Sequence, residues 1–215
     1  MLQRRLASLL VLVAVVGLAA SGCGSTSVAV KVDDESISQH DFEDQLDLVY
    51  ENDDFRAVLF GGVEREQLRG EGDPRGSYGQ QFVGAMAFLQ VQFLVIPQVL
   101  ADQDLEVTQD DLDAVQGQLE QQAPGALESV PQDVADQYVE AFAGFDLLRT
   151  ELGDEELNSV VGDAIRSADV SVSSRYGTWD PDTFSVTPPD GPRPAPGTPD
   201  ETEPSLPDGS ELPSG

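Results

Sequence analysis

Residues 79–101 contain no charged side chain, although charged residues make up 24% of the chain. Large apolar residues recur in this stretch at alternating steps of four and three, which places them on one face of a helix. They are Phe82, Met86, Leu89, Phe93, Ile96 and Leu100. Five glutamines and Pro97 interrupt the stretch, and polar side chains are costly in lipid. The pattern therefore predicts a buried central helix, rather than a membrane span, around which other elements must pack.

Helical patterns also lie on either side of this stretch. Capping boxes of the Ser/Thr-x-x-acid kind begin at Ser38 and Thr108, and each precedes apolar residues at helical spacing. A further apolar stripe covers 134–152, and a last short helix is expected at 155–167. Residues 51–77 are rich in glycine and charge and are predicted to be mostly loop, with a short helix inside it. Most of the domain is therefore expected to be helical.

Two short β-type segments lie near the two ends of this helical region. The first is Val28–Val32, and the second, at 169–173, alternates polar and apolar residues as a half-buried strand does. A lone strand leaves its backbone groups unpaired, so the two segments are expected to pair with each other. The predicted fold class is mainly α, with a small β pairing between the N-terminal and C-terminal strands.

The first residues have the form of an export signal. Arg4 and Arg5 precede about 15 uncharged residues, fewer than the roughly 20 that span a membrane. Small residues then lead to Cys23, the only cysteine in the chain, as in a lipobox. Ala20 stands where leucine is usual. The pattern predicts cleavage before Cys23 and a lipid on its thiol, with a plain secretory signal as the alternative.

This interpretation divides the chain into four parts and places the protein at the outer face of the cell membrane. The tail is rich in proline, glycine and acidic residues, so it cannot bury enough apolar surface to order itself. The parts are a lipoprotein signal peptide at 1–22, a tether at 23–27, a helical domain at 28–184 and a disordered tail at 185–215.

The formal net charge of −29 restricts the possible partners. Nucleic acids and anionic membrane surfaces both require clustered lysine and arginine, so neither is expected to bind. His40 is the only histidine, and no second histidine or cysteine is present to build a catalytic pair or a zinc site. No phosphate-binding glycine loop is found. We therefore predict no cofactor, no metal and no catalytic residues.

The order of the motifs resembles the SurA and PrsA families of extracytoplasmic chaperones and foldases. The opening, 28–38 followed by Asp41-Phe42, is similar to theirs, although Asp33-Asp34 occupies the turn where these families usually have Asn-Gly. The segment 105–112 resembles a second family landmark, and 170–181, with Arg-Tyr-Gly and Trp-Asp-Pro, resembles the closing strand of actinobacterial members.

The resemblance implies a helical chaperone module without the parvulin isomerase domain that many members carry. It leads us to expect a lipid-anchored, chaperone-like protein that binds unfolded exported polypeptides. A prolyl isomerase remains one alternative, and a scaffold or solute-binding lipoprotein with one dedicated partner remains another. A chaperone needs an accessible apolar surface that accepts varied sequences. The candidate peptide-binding residues are Phe82, Met86, Phe88, Phe93, Tyr138, Phe142 and Phe145.

Overall fold

A computed structural model describes residues 27–70 and 78–188 of the chain. The predicted signal peptide, the lipid site at Cys23 and most of the predicted tail lie outside the described residues. The strands are β1 (Val28–Val32), β2 (Glu35–Ser38), β3 (Val170–Val172), β4 (Thr178–Asp180) and β5 (Ser185–Thr187). The helices are α1 (Gln39–Glu51), α2 (Asp53–Phe60), α3 (Gln80–Asp102), α4 (Gln109–Gln122) and α5 (Gln132–Ser167), with a 3₁₀ turn at Arg65–Leu68.

The predicted starts of α1 and α4 are confirmed by their capping contacts. The Ser38 hydroxyl accepts a hydrogen bond from the backbone N–H of Asp41 at 3.1 Å. Thr108 and Asp111 form a complete capping box, in which the Asp111 carboxylate also accepts the backbone N–H of Thr108 at 2.8 Å. These contacts satisfy N–H groups that a helix start otherwise leaves unpaired.

Helix α3 matches the helix predicted from the uncharged stretch and runs through the centre of the fold. By length and composition α3 could cross a membrane, and 56% of its most apolar window is buried against the other elements. Helix α5 joins the two predicted helices at 134–152 and 155–167. Gly153, with φ 79° and ψ 164°, breaks the helical backbone between them, in a conformation that favours glycine.

The expected pairing of the two terminal strands is confirmed. Strand β1 is the middle strand of an antiparallel sheet of order β2-β1-β3, with Val32 opposite Val170. The β1–β2 hairpin was not predicted, and its turn contains Asp33 at φ 52°. The Asp33 carboxylate accepts a hydrogen bond from the backbone N–H of Asp169 at 2.9 Å. The backbone N–H of Asp33 donates to the Asp169 carbonyl at 3.1 Å. An aspartate in the turn thus tolerates the left-handed backbone and also fastens the two ends of the domain.

A second antiparallel pair, β4 and β5, was also not predicted. Strand β5 lies entirely beyond the domain boundary predicted at 184, in the first residues of the predicted tail, and its Val186 is buried. This valine packs beside Gly84 of α3, where a Cβ atom would lie 3.6 Å from the Val186 carbonyl oxygen. The β4–β5 pair therefore covers one side of α3.

The buried side chains fall into two clusters of very different size. The main core joins β1, α1, α2, α3 and α5, and includes Phe42, Met86 and Leu148 at 0% exposure. The second cluster lies between α4 and α5. Its buried members are Val115, Leu119, Val139 and Ala143. Helix α4 is thus attached to the domain through a small interface of its own.

Candidate functional site

Helices α3 and α4 both pack on the first half of α5, and a groove of about 290 Å³ lies between them. We call it the aromatic groove. Helix α3 and helix α4 form its walls, and α5 forms its floor. Its lining consists of Leu89, Gln92, Phe93, Val115, Gln118, Leu119, Ala141, Phe142, Phe145, Asp146 and Arg149.

The apolar part of the groove follows from helical spacing on three elements. Leu89 and Phe93 lie one turn apart on α3, as Val115 and Leu119 do on α4. Phe93, from α3, meets Phe142, from α5, in an edge-to-face contact with ring centroids 6.1 Å apart. The lining aromatic side chains are half-buried, so they offer apolar surface to a ligand while they still contact the fold.

Polar side chains lie at the rim. The Arg149 guanidinium lies 5.9 Å from the ring centroid of Phe145 and 3.3 Å from a carboxylate oxygen of Asp154. The Asp146 carboxylate is 3.9 Å from the same guanidinium, and its side chain is 51% exposed. Gln92 and Gln118 add amide groups that can donate to, or accept from, a bound backbone.

The seven residues predicted to bind peptide do not form one surface. Phe93, Phe142 and Phe145 line the aromatic groove. Three others are buried in the main core at 3% exposure or less, and these are Phe82, Met86 and Tyr138. Phe88 is half-buried at a different place on α3, where its ring stacks with Trp179 at 6.3 Å and with Phe184 at 6.4 Å.

Tyr138 lies behind the aromatic floor of the groove. Its ring contacts Phe93 edge-on at 4.9 Å and Phe142 at 6.2 Å. Burial raises the pKa of the Tyr138 hydroxyl above its usual value, and the nearby Gln90 amide opposes part of that rise. The hydroxyl itself has no hydrogen-bond partner of ordinary geometry among the described residues. Tyr138 therefore supports the groove and does not line it.

Several lining residues could not be identified from the sequence. Val115 and Leu119 belong to the apolar residues predicted to follow the Thr108 capping box at helical spacing, but nothing in that spacing shows which element they meet. In the sequence, nothing distinguishes Asp146 and Arg149 from the other charged residues. They become part of a site only because α4 lies against this half of α5.

Within residues 27–70 and 78–188, no group of three histidine, cysteine, aspartate or glutamate side chains could hold a metal ion. His40 is exposed and lies 3.5 Å from Asp44 on the same helix. The groove itself offers apolar side chains, two amides and two opposite charges.

The chain matches no known family, no curated protein and no solved structure.

Proposed function

We propose that this protein is a lipid-anchored, extracytoplasmic, chaperone-like protein that holds apolar segments of unfolded exported polypeptides in the aromatic groove. The groove, with three half-buried phenylalanines at its surface, is the observation that carries the proposal. The order of the motifs, which resembles that of the SurA and PrsA families, supports the same function. The export signal and Cys23 support the location.

The size of the groove suits side chains rather than a whole folded surface. A cavity of about 150 Å³ can hold a benzene ring, so 290 Å³ has room for about two ring-sized groups. An unfolded polypeptide presents such groups one or two at a time along its length. The protein is therefore expected to bind short apolar stretches of many sequences, with modest affinity for each.

The construction of the groove also favours varied ligands. One wall, α3, belongs to the main core, whereas the other wall, α4, is held by the small α4–α5 cluster. Regions with few buried apolar contacts open at lower free energy than the core. The α4 wall can thus adjust to side chains of different sizes without unfolding the domain.

The test is aggregation of a reduced, unfolded model client, followed by light scattering. The full chain beginning at residue 23, with Cys23→Ser, is added at equimolar and higher ratios. We expect it to suppress aggregation in proportion to its concentration. No suppression at any of these ratios would contradict the proposal.

Two matched phenylalanine variants show whether the groove is responsible. Phe145→Ala removes a lining ring, whereas Phe88→Ala removes a half-buried ring that stacks on the β4–β5 side of α3. We expect Phe145→Ala to weaken suppression several-fold and Phe88→Ala to leave it close to that of the parent chain. Equal losses in the two variants would place the binding surface elsewhere.

The lipid anchor has a separate test. In cells fed a radiolabelled fatty acid, we expect the parent chain to carry the label and to fractionate with membranes. Cys23→Ser should abolish the label, because the thiol is the only group of its kind in the chain. Label retained in Cys23→Ser would contradict lipidation at this residue.

A further inference from the structure

We propose that the aromatic groove selects apolar segments that carry lysine or arginine beside the apolar residues, and that Asp146 is the specificity-determining residue. The inference rests on the proposed function, because it names the class of segment that the same groove binds. It follows from the charges around the groove and from how each one is already paired.

Asp146 lies at the rim with its carboxylate available to a ligand. It is 3.9 Å from the Arg149 guanidinium, at the limit of an ion pair, and its side chain is 51% exposed. Arg149 has a nearer partner in Asp154, at 3.3 Å, which lies just past the break in α5 at Gly153. A cationic side chain of a ligand can therefore reach Asp146 without first displacing a close ion pair.

The two acidic helices that border the groove add a field of the same sign. Arg149 is the only lysine or arginine in α4 or in the half of α5 that forms the floor. Against this one cation stand many acidic residues on the same two segments. They are Asp110, Asp111, Asp113, Glu120, Asp133, Asp136, Glu140, Asp146 and Glu151.

This distribution discriminates between ligands by charge as well as by apolar content. An apolar segment flanked by acidic residues meets like charges on both helices, which opposes its approach. A segment flanked by basic residues is attracted, and its association rate rises. Apolar contact with the phenylalanines then holds either segment once it is bound. Charge therefore selects among segments that the groove could otherwise accept equally.

Three fluorescein-labelled peptides test this selection directly. They share one apolar sequence with two phenylalanines and differ only in the flanking residues, which are lysine, glutamine or glutamate. Binding to the full chain with Cys23→Ser is measured by fluorescence anisotropy at low salt and near 1 M salt, where the screening length falls to about 3 Å. We expect affinity in the order lysine, glutamine, glutamate at low salt, and a much smaller spread at high salt.

The variant Asp146→Asn assigns the preference to one residue. We expect it to reduce the lysine-over-glutamine preference about three-fold, in the range of a single exposed ion pair, and to leave binding of the glutamine peptide unchanged. Asp34→Asn is the control. It removes the same charge from the exposed β1–β2 turn, and we expect the preference to survive.

The failures of the two proposals look different. If the glutamine peptide binds but the three peptides show equal affinity, the charge selection is wrong while the groove stands. If Asp146→Asn and Asp34→Asn lower the preference equally, general charge is responsible and Asp146 is not the determinant. If none of the peptides binds, the proposed function fails, and the selection fails with it.

Discussion

One side of α5 meets α3 across the main core, whereas the neighbouring side holds α4 through four small or medium-sized buried side chains. The α3 contact is close, since a Cβ atom on Gly144 would lie 2.8 Å from Cγ2 of Ile96. On α4, Val115 and Leu119 are buried against α5, whereas Gly117 between them lies on the exposed face, where a Cβ atom would meet nothing within 4 Å. The aromatic groove lies between the two, so one of its walls belongs to the main core and the other is held by the smaller cluster.

The largest expected difference is between two leucine truncations. Leu148→Ala lies in the main core at 0% exposure, and Leu119→Ala lies in the α4–α5 cluster. We expect losses of about 4 kcal/mol and about 2 kcal/mol in the free energy of unfolding, since the cost depends on how far the site can collapse. Urea denaturation measures both. In Leu119→Ala, hydrogen exchange should show faster amide exchange confined to α4. Equal losses of unfolding free energy in the two variants would mean that α4 is as firmly held as α3.

Two glycine substitutions add a methyl group either in the α3–α5 contact or on the exposed face of α4. Gly144→Ala forces Ile96 and Leu100 aside and should destabilise the protein by about 1–3 kcal/mol, as overpacking does. Gly117→Ala adds its methyl group in open space within α4 and should stabilise by about 0.5–1 kcal/mol through helix propensity. Thermal unfolding shows whether each substitution lowers or raises the stability. A loss in Gly117→Ala would show that α4 contacts something that the structure leaves open.

The start of α4 offers a smaller change. Thr108→Ala removes the cap and should cost about 1 kcal/mol, seen first as faster hydrogen exchange in α4. Hydrogen bonds from Thr108 also hold the pKa of Asp111 below its usual range. A carboxyl group whose pKa is lower in the folded state stabilises the fold at a pH above its unfolded-state pKa. This stabilisation is lost as the pH falls below about 4. In Thr108→Ala that acid-dependent loss should be weaker, and an unchanged pH profile would contradict the role of the cap.

The smallest expected change at neutral pH is that of Tyr138→Phe, under the floor of the groove. The hydroxyl makes no well-formed hydrogen bond within residues 27–70 and 78–188, so its removal should alter stability by less than about 1 kcal/mol.

The same variant has a distinct alkaline signature. Burial raises the folded-state pKa of Tyr138, so the unfolded state ionises first and stability falls as the pH rises past about 10. In Tyr138→Phe the urea midpoint should fall less steeply above this pH than in the parent chain. Part of the fall should persist, because burial also raises the pKa of Tyr78. An identical decline in both proteins would mean that Tyr138 ionises without hindrance in the fold.

Sequence reasoning succeeded where the signal is periodic or local. The steps of four and three predicted α3, and the Ser38 and Thr108 motifs predicted two helix starts. The pairing of β1 with β3 was predictable because two lone strands need partners. By contrast, β2, β4 and β5 contain one apolar residue each, so they show no alternation, whereas β3 has two valines two residues apart.

The site was less predictable than the fold, for a geometric reason. Phe142 and Tyr138 are four residues apart on α5, yet one lines the groove and the other is buried behind it. The difference depends on where α3 and α4 sit around the helix, and spacing within α5 does not contain that information. The same holds for Met86 and Phe93 on α3.

Asp33 and Asp169, whose hydrogen bonds join β1 to β3, are 136 residues apart. The two strands can therefore pair only late in synthesis. A ribosome releases β1 and β2 first, and β3 only after every helix has emerged. Until then β1 has an open edge, and Val30 and Val32, which are fully buried in the finished domain, lack their cover on that side. Open strand edges recruit other chains, so we expect the chain to be most prone to association before β3 has paired with β1.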